Sequence, residues 1–349
     1  LIFPLGAFER WNACIFPFNT IFSKNMYLVK KKMDRISLIK RNVQEIVTEE
    51  ELMNLLDTKE HPTAYVGYEP SGKIHMGHVM TVNKLMDLQN VGFEITVLLA
   101  DLHAYMNRKG TLEEVREIAD YNKECFIALG LDPEKTKFVY GLDFQLDPEY
   151  TLNVLKMTCS ASLNRARRSM DEVGRSMDDP KVSQMVYPMM QVIDIAMLGV
   201  DVAVGGIDQR KIHMLAREGL PGLGYRAPIC IHLPILLGLD GTKMASSKEN
   251  YISVDDDEES IFTKLKKALC PADSTADNPI LQLFRYHIFP RYAEIIIERP
   301  EKYGGNLLCK SYEELESVFS KGELHPMDLK SSAAKYMNEI LEPVRKVLQ

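Results

Sequence analysis

The stretch from 63 to 102 constrains this chain more than any other. TAYVGY reads as a strand, MGHVMTVNKLMDLQNVG as a helix with Met76, Met80, Leu85 and Leu88 among its apolar positions, and EITVLLADL as a continuous apolar run. A run with no polar alternation suits a strand covered on both faces. Strand, helix and strand in that order make a βαβ unit, which joins two parallel strands by a crossover. The loop after the first strand, GYEPSGKIHMGH from Gly67 to His78, then lies at the carboxyl end of the sheet, where open α/β sheets take their ligands.

The alternation continues. A helical pattern runs from about residue 36 through SLIKRNVQEIVTEEELMNLL. Beyond the βαβ unit the spacing predicts a helix over Leu112–Gly130, a strand at KFVYG and one long helix from Pro148 to about Met177. A helix through VSQMVYPMMQVIDIAMLG, a strand at VDVAVGG and a helix at IDQRKIHMLAREG come next. ICIHLPIL, the loop GLDGTKMASSKEN and a strand at YISV follow. Such alternation implies a doubly wound α/β domain. After VDDDEES the pattern turns helix-like and strand-poor, which places a second, mainly helical domain at the C-terminal end. The acidic run Asp255–Glu259 reads as a helix start, because carboxylates favour a helix N-terminus.

At 349 residues the chain can hold two domains with buried cores. A net charge of -7 argues against a general nucleic-acid coat, DNA included, yet leaves room for a local basic patch. The six cysteines are scattered with no C-x-x-C pair, the pattern of reduced thiols in a cytoplasmic protein rather than of a disulfide or zinc framework. No apolar run approaches the length of a membrane span. Residues 1–32 differ from the rest: they carry the only tryptophan, Trp11, show no period and lack the order of a signal peptide. They are expected to be a leader outside the fold, with a natural start at Met26 or Met33.

Three motifs carry chemistry. Gly67 and Gly72-Lys73 make most of a P-loop, but Ile74 stands where such a loop needs Ser or Thr, and Pro70 removes a backbone N–H. His75 and His78 have no nearby Cys or Glu to complete a ligand set, so no metal site is expected. Two imidazoles around Gly77 at a helix start suit an anion instead. The terminus favours negative charge, glycine permits close approach, and the rings can donate to oxygens that gain charge in phosphoryl chemistry. A chance pair of histidines is the plain alternative. The second motif, KMASSK from Lys243 to Lys248, offers ammonium and hydroxyl donors on a glycine-flanked loop; alone it fits a solvated turn as well. Third, Tyr187, Gln191 and Asp194 lie at i, i+4 and i+7, on one helix face at roughly 100° per residue. Their neighbours are apolar, so this polar stripe is expected to face a pocket.

Together, H-x-G-H after the first strand and K-M-x-S-S after a later one resemble the paired signatures of class I aminoacyl-tRNA synthetases. From Met33 onward, YVGYEPSGKIHMGH, LLADLHAY, YTLNV, RARRSM, YPMMQV, VDVAVGGIDQRKIHMLAR, RPEKYGG and ELHPMDLK resemble, in order, tyrosyl-tRNA synthetases of the archaeal and eukaryotic-like type. Ala245 departs from the pattern, since these enzymes usually carry Ser there. The resemblance implies a Rossmann-like catalytic domain over 33–250, with an inserted helical connective and dimerisation region at about 145–185, and a mainly α-helical anticodon-binding domain over 251–349. It also implies ATP with Mg2+ carried on its phosphates, L-tyrosine, tRNA(Tyr), a homodimer and a cytoplasmic location.

The resemblance carries over residue by residue. His75, His78, Lys243, Ser246, Ser247 and Lys248 would act on the phosphates, and Gly67, Glu69, Ser71, Gly77 and Met244 would border the nucleotide. Tyr65 and Asp194 would hold the phenol hydroxyl, while Tyr187, Gln191 and Gln209 would bind the amino group. His103 and Gln145 would stand in the pocket wall, although a lone His is as readily a satisfied core residue. An acceptor and a hydroxyl aimed at a phenol are left unpaired when phenylalanine binds, which discriminates without editing. Arg168, Arg210 and Lys211, from basic stretches that include Arg165 and Arg167, would meet the acceptor end of the tRNA. Tyr303 and Asp328, with His325 beside them, would take the first anticodon base; an aromatic face and a carboxylate suit an unstacked guanine.

Three other readings compete. A tryptophanyl-tRNA synthetase shares the fold and both signatures, but an indole N–H only donates and needs no hydroxyl partner. A nucleotidyltransferase of the H-x-G-H type has no use for the second loop or the helical domain. A non-catalytic tRNA-binding module has no use for His75, His78 and Lys243.

Overall fold

The computed structural model describes residues 35–173, 178–244, 248–272 and 274–349. The expectation for residues 1–32 lies outside them, as do Ala245, Ser246 and Ser247. The chain opens with α1 (Arg35–Lys40), β1 (Glu45–Val47) and α2 (Glu49–Thr58), where the sequence pattern suggests one unbroken helix. Asn42 takes a left-handed φ of 59°, and β1 pairs antiparallel with His232–Cys230 at the sheet edge. α2 starts anew at Thr48, whose hydroxyl accepts from the Glu51 N–H while the Glu51 carboxylate accepts from the Thr48 N–H. This capping box satisfies two donors that the helix leaves open.

β2 (Thr63–Tyr68), α3 (Met76–Asn90) and β3 (Glu94–Leu99) form the expected βαβ unit, followed by α4 (Asp101–Met106), α5 (Leu112–Ala128) and β4 (Thr136–Tyr140). α6 (Pro148–Ser160), α7 (Leu163–Met170) and α8 (Val182–Met197) lead to β5 (Val202–Gly206), α9 (Arg210–Gly219) and β6 (Ile229–Leu233). The single helix expected from Pro148 is therefore two. Ala161 is extended, and Ser162 caps α7 by accepting from the Arg165 N–H.

The C-terminal part holds α10 (Glu258–Lys267), α11 (Pro279–Leu283), β7 (Ile295–Ile297), β8 (Leu307–Cys309), α12 (Tyr312–Ser320) and α13 (Pro326–Leu348). β7 and β8 pair as a small antiparallel ribbon among these helices. Asp257 caps α10, with Glu258 and Glu259 in its first turn, as the acid run suggests. YISV forms no strand; it makes a single bridge between Ser253 and His75.

The six-stranded sheet runs β1-β6-β5-β2-β3-β4, and only the β1–β6 pair is antiparallel. β2 lies between β3 and β5, so the strand order reverses beside it. The carboxyl ends of β2 and β5 therefore flank the crevice that such sheets open at their switch point. Ala64, Val66 and Tyr68 of β2 join a core that runs on without a break into Ile261, Phe284 and Ile340 of the C-terminal part. Tyr65 faces the other way, into a second core with Tyr150, Ile193 and Ile212. Each large apolar side chain so buried stabilises by about 1.5–3 kcal/mol. With both faces covered, the strands have no solvent side to mark with polar residues. No helix among the described residues is long and apolar enough to cross a membrane.

Candidate active site

A cleft of about 390 Å³ opens at the carboxyl ends of β2 and β5. Tyr65, Gly67, Glu69 and Ser71 line it from β2 and the following turn; His75, Gly77 and His78 line it from the start of α3. His103 of α4, the stripe Tyr187, Gln191 and Asp194 of α8, Gln209, and Lys243 with Met244 complete the set expected there.

The two histidines hold each other in place. His75 caps α3, its Nδ1 accepting from the Gly77 N–H at 3.1 Å, and Nδ1 of His78 accepts from the His75 N–H at 3.2 Å. A ring whose Nδ1 accepts carries its proton on Nε2 when neutral. Burial lowers His75 to about 4, and burial together with the neighbouring His75 takes His78 well below the usual histidine range. Both rings are thus neutral at pH 7, each with one Nε2–H donor. The first-turn N–H groups of α3 are already engaged: Met76 donates to the Ile252 carbonyl and Gly77 to His75. The Met76 and Gly77 N–H groups are thus held within the protein, while the two imidazoles line the cleft. Gly77 has its own local reason, since a Cβ there would stand 3.0 Å from Cε1 of His75.

The P-loop likeness dissolves in the same way. Lys73 pairs with Asp255 at 2.6 Å rather than pointing into a phosphate cradle. Residues 252–254 lie along 74–76: the Val254 N–H donates to the Ile74 carbonyl at 3.0 Å, and the Ser253 hydroxyl lies between that carbonyl, at 3.1 Å, and the Asp255 carboxylate, at 2.5 Å. The exit of the second signature loop is therefore fastened to the start of α3. The loop's base is closed by Gly238 N–H to the Thr242 carbonyl and Leu239 N–H to the Asn250 carbonyl, both at 2.7 Å. Lys243 is exposed on the cleft, whereas the Lys248 ammonium donates to the Thr242 hydroxyl at 3.0 Å.

The closed end of the cleft is polar and buried. Asp194 is 0% exposed, and burial raises its carboxyl to about 7 despite hydrogen bonds from Gln145 and Tyr150 that lower it. Its Oδ1 accepts from Gln145 Nε2 at 2.7 Å and from the Tyr150 hydroxyl at 2.8 Å. Its Oδ2 accepts from no group among the described residues, and His103 Nε2 lies 3.4 Å away. Tyr65 stands beside it, 1% exposed, and a Cβ on Gly67 would come within 2.6 Å of its hydroxyl. Gly67 is thus required by Tyr65, two residues back on the same strand face.

Tyr187 donates to Glu69 at 3.1 Å, and Glu69 also accepts from Asn107 at 3.0 Å with the Lys109 ammonium 3.5 Å away. Glu69 therefore braces Tyr187 as well as bordering the cleft. Gln191 Nε2 donates to Gln209 Oε1 at 3.1 Å, and Gln209 Nε2 to Asp208 at 3.2 Å. Among the described residues no group of three or more His, Cys, Asp or Glu could hold a metal ion.

These features agree with what the chain resembles in sequence and shape. The family described as tRNA synthetases class I (W and Y) matches residues 57–342. A protein of Methanococcoides burtonii named tyrosine–tRNA ligase is 75% identical over 317 residues, covering 91% of this chain and 100% of that protein. A crystal structure of tyrosyl-tRNA synthetase complexed with L-tyrosine from Archaeoglobus fulgidus superposes with a TM-score of 0.89 at 62% identity, covering 90% of this chain and 99% of that one. The chain belongs to the tyrosine–tRNA ligases of class I. A Plasmodium falciparum tryptophanyl-tRNA synthetase shares the fold, at 18% identity and a TM-score of 0.70 over 94% of this chain and 87% of that one.

For a synthetase of this family, the residues expected at RNA sit in varied surroundings. Arg210 is engaged by Glu45 through two bonds of 2.7 and 2.9 Å, and Lys211 by Glu172 at 3.2 Å and Asp171 at 3.5 Å. Arg165 pairs with Glu218 at 2.8 Å, while Arg167 and Arg168 are exposed. Tyr303 is 62% exposed, on a turn that Arg299 ties to the segment before α13 by donating to the Gly305 and Glu323 carbonyls, each at 2.9 Å. His325 caps α13 and Asp328 sits in its first turn.

Sequence reasoning missed Tyr150, Asn107, Lys109, Asp208 and Asp255. All but Asp208, which accepts from its neighbour Gln209, meet their partners across elements far apart in the chain, where no local period can show the pairing. Tyr150 lay within a quoted matching stretch, YTLNV, but nothing in that stretch announces a hydroxyl bound to Asp194.

Proposed function

We infer that this chain activates L-tyrosine with ATP, releasing pyrophosphate, and then transfers the tyrosyl group to the 3′-terminal adenosine of tRNA(Tyr). The observation that carries the reading is the open Oδ2 of Asp194 beside Tyr65, at the closed end of a cleft whose mouth holds two neutral imidazoles and Lys243. Tyr65 and Asp194 bind the phenol hydroxyl. Tyr187, Gln191 and Gln209 orient the ammonium, which leaves the substrate carboxylate directed at the α-phosphorus. Phosphoryl chemistry of this kind rests on positioning and charge stabilisation, with no protein nucleophile. The Nε2–H groups of His75 and His78 and the Lys243 ammonium supply donors to oxygens that gain charge as pyrophosphate leaves. Ser246, Ser247 and Lys248 would join them from the loop, and Gly67, Glu69, Ser71, Gly77 and Met244 would border the nucleotide. Magnesium would arrive on the ATP phosphates and neutralise their charge; no protein ligand set is assigned to it. In the second step a ribose hydroxyl attacks the tyrosyl carbonyl and AMP leaves.

The same reading assigns the remaining parts. Arg168, Arg210 and Lys211 meet the acceptor end, with phosphates replacing the carboxylates that now hold the latter two. Residues 251–349 form the anticodon-binding domain, where Tyr303 stacks on the first base, and Asp328, with His325 next to it, accepts from its edge. A homodimer is supported by exposed Leu152 and Leu155 of α6, Leu163 of α7 and Val182 of α8, all within the connective region. The free cysteines among the described residues fit a cytoplasmic protein. Equilibrium binding tests the pocket: Asp194→Ala should weaken tyrosine binding by about tenfold or more while ATP binding stays within twofold. Equal loss of both ligands would remove Asp194 from the amino-acid pocket.

A further inference from the structure

We propose that Tyr150 is a specificity-determining positioning residue, which with Gln145 locks the Asp194 carboxylate so that Oδ2 alone is offered to the substrate phenol. The inference rests on the reading of Asp194 as the phenol acceptor. A carboxylate has two equivalent oxygens, and rotation about its Cβ–Cγ bond exchanges them unless donors hold one. Here both protein donors converge on Oδ1, at 2.7 Å from Gln145 and 2.8 Å from Tyr150. The Tyr150 hydroxyl also lies 3.0 Å from the Met190 carbonyl, but it has one proton, and the charged acceptor makes the stronger bond.

Gln145 acts twice through one amide. Its Nε2 donates to Asp194 and also lies 3.2 Å from His103 Nδ1. An Nδ1 that accepts leaves the His103 proton on Nε2, the atom 3.4 Å from Asp194 Oδ2. The phenol hydroxyl would then find a fixed acceptor and a fixed donor side by side. Tyr150 can hold this arrangement because it is itself anchored: it is 1% exposed, and its ring meets Phe144 edge-on at 5.4 Å.

Charge follows the same geometry. The titratable groups around the carboxylate are Tyr65 from β2, His103 from α4, Tyr150 from α6 and Tyr187 from its own helix. Burial keeps the tyrosines protonated and lowers His103 to about 3, so none brings a counter-charge. The hydrogen bonds from Gln145 and Tyr150 are what favours the ionised form of Asp194. Removing one of them therefore moves the carboxylate both in orientation and in protonation.

The test is ATP–pyrophosphate exchange by Tyr150→Phe, Asp194→Asn and the double variant across pH 6 to 9, with thermal unfolding as a check on the fold. Tyr150→Phe keeps the ring and its edge contact. The tyrosine KM should rise about tenfold at pH 7 with ATP KM within twofold. The pH at which tyrosine affinity is half lost should move upward, and preference for tyrosine over phenylalanine should fall. In the Asp194→Asn background the same change should have little further effect. Gln145→Leu, which removes the other donor, should act in the same direction if Tyr150→Phe proves unstable. An unchanged tyrosine KM and pH profile, equal rises in tyrosine and ATP KM, or an effect that persists without the Asp194 carboxylate would each overturn the inference. If Asp194→Asn itself leaves the tyrosine KM unchanged, the phenol-acceptor reading has failed, a result separate from failure of Tyr150 alone.

Discussion

Asp194 shows how one buried carboxyl can set a pH dependence. Burial raises it to about 7, so near neutrality it is shared between acid and carboxylate forms. Only the carboxylate accepts the phenol proton with full strength. The tyrosine KM should therefore climb as pH falls through about 7 and flatten above about 8, while kcat at saturating tyrosine shows no matching limb. Burial lowers His75 to about 4 and takes His78 well below the usual histidine range, so no ordinary histidine step near 6.5 should enter kcat either. Exchange kinetics against pH at limiting and saturating tyrosine separate the two; a kcat limb near 6.5 would contradict the neutral-imidazole assignment. The same carboxyl has a sign in stability. Its folded value lies above its ordinary one, so the folded state holds the extra proton, and this contribution is full at low pH and lost as pH rises through about 7. Asp194→Asn should remove that term.

At this scale the pocket residues were partly legible. The i, i+4, i+7 stripe on α8 could be read from period alone, because an otherwise apolar helix has few places to put three polar groups. Tyr150 and Gln145 could not, since their bonds to Asp194 span 44 and 49 residues. The Lys73 pairing was hidden for a similar reason: its partner Asp255 belongs to a distant segment that reads as a helix cap.

Among the elements, the acid run at 255–259 marked the start of α10, but the helical pattern ran straight through the starts of α2 and α7, although Thr48 with Glu51 and Ser162 cap them. β1 is different. It is three residues long and exists because an exposed edge of β6 accepts it. The most consequential element-level contact is the seam between residues 252–254 and 74–76, which sets the second signature loop against the His75 cap. Ser253→Ala deletes the buried hydroxyl that lies between the Ile74 carbonyl and the Asp255 carboxylate. It should cost about 1 kcal/mol by denaturant unfolding and lower the activation kcat several-fold with tyrosine KM unchanged. A variant that loses stability but keeps kcat would show that the seam supports the fold and has no part in placing the loop.

Over the whole molecule, the doubly wound sheet was legible because strands covered on both faces show as unbroken apolar runs and helices as periodic ones. The continuity of the core was not. Ile261, Phe284 and Ile340 pack into the same cluster as β2 and α3, so residues after 250 are fastened to the catalytic sheet through a buried apolar surface. On the proposed function the labour is nevertheless divided: the cleft would perform activation, and the C-terminal part would select tRNA. Asp328→Ala should leave tyrosine-dependent exchange unchanged and slow tRNA charging about tenfold or more, since a bond from a base edge to a carboxylate is lost. A fall in exchange would show that α13 bears on the cleft through the shared core.

ATP–pyrophosphate exchange with tyrosine, tryptophan and phenylalanine supplied separately decides whether the cleft activates tyrosine through the Tyr65 and Asp194 pair. Tyrosine alone should support exchange. Exchange supported by tryptophan or phenylalanine to a comparable extent would contradict the assignment of that pair to a phenol hydroxyl, and no exchange with any of the three would contradict the activation chemistry itself.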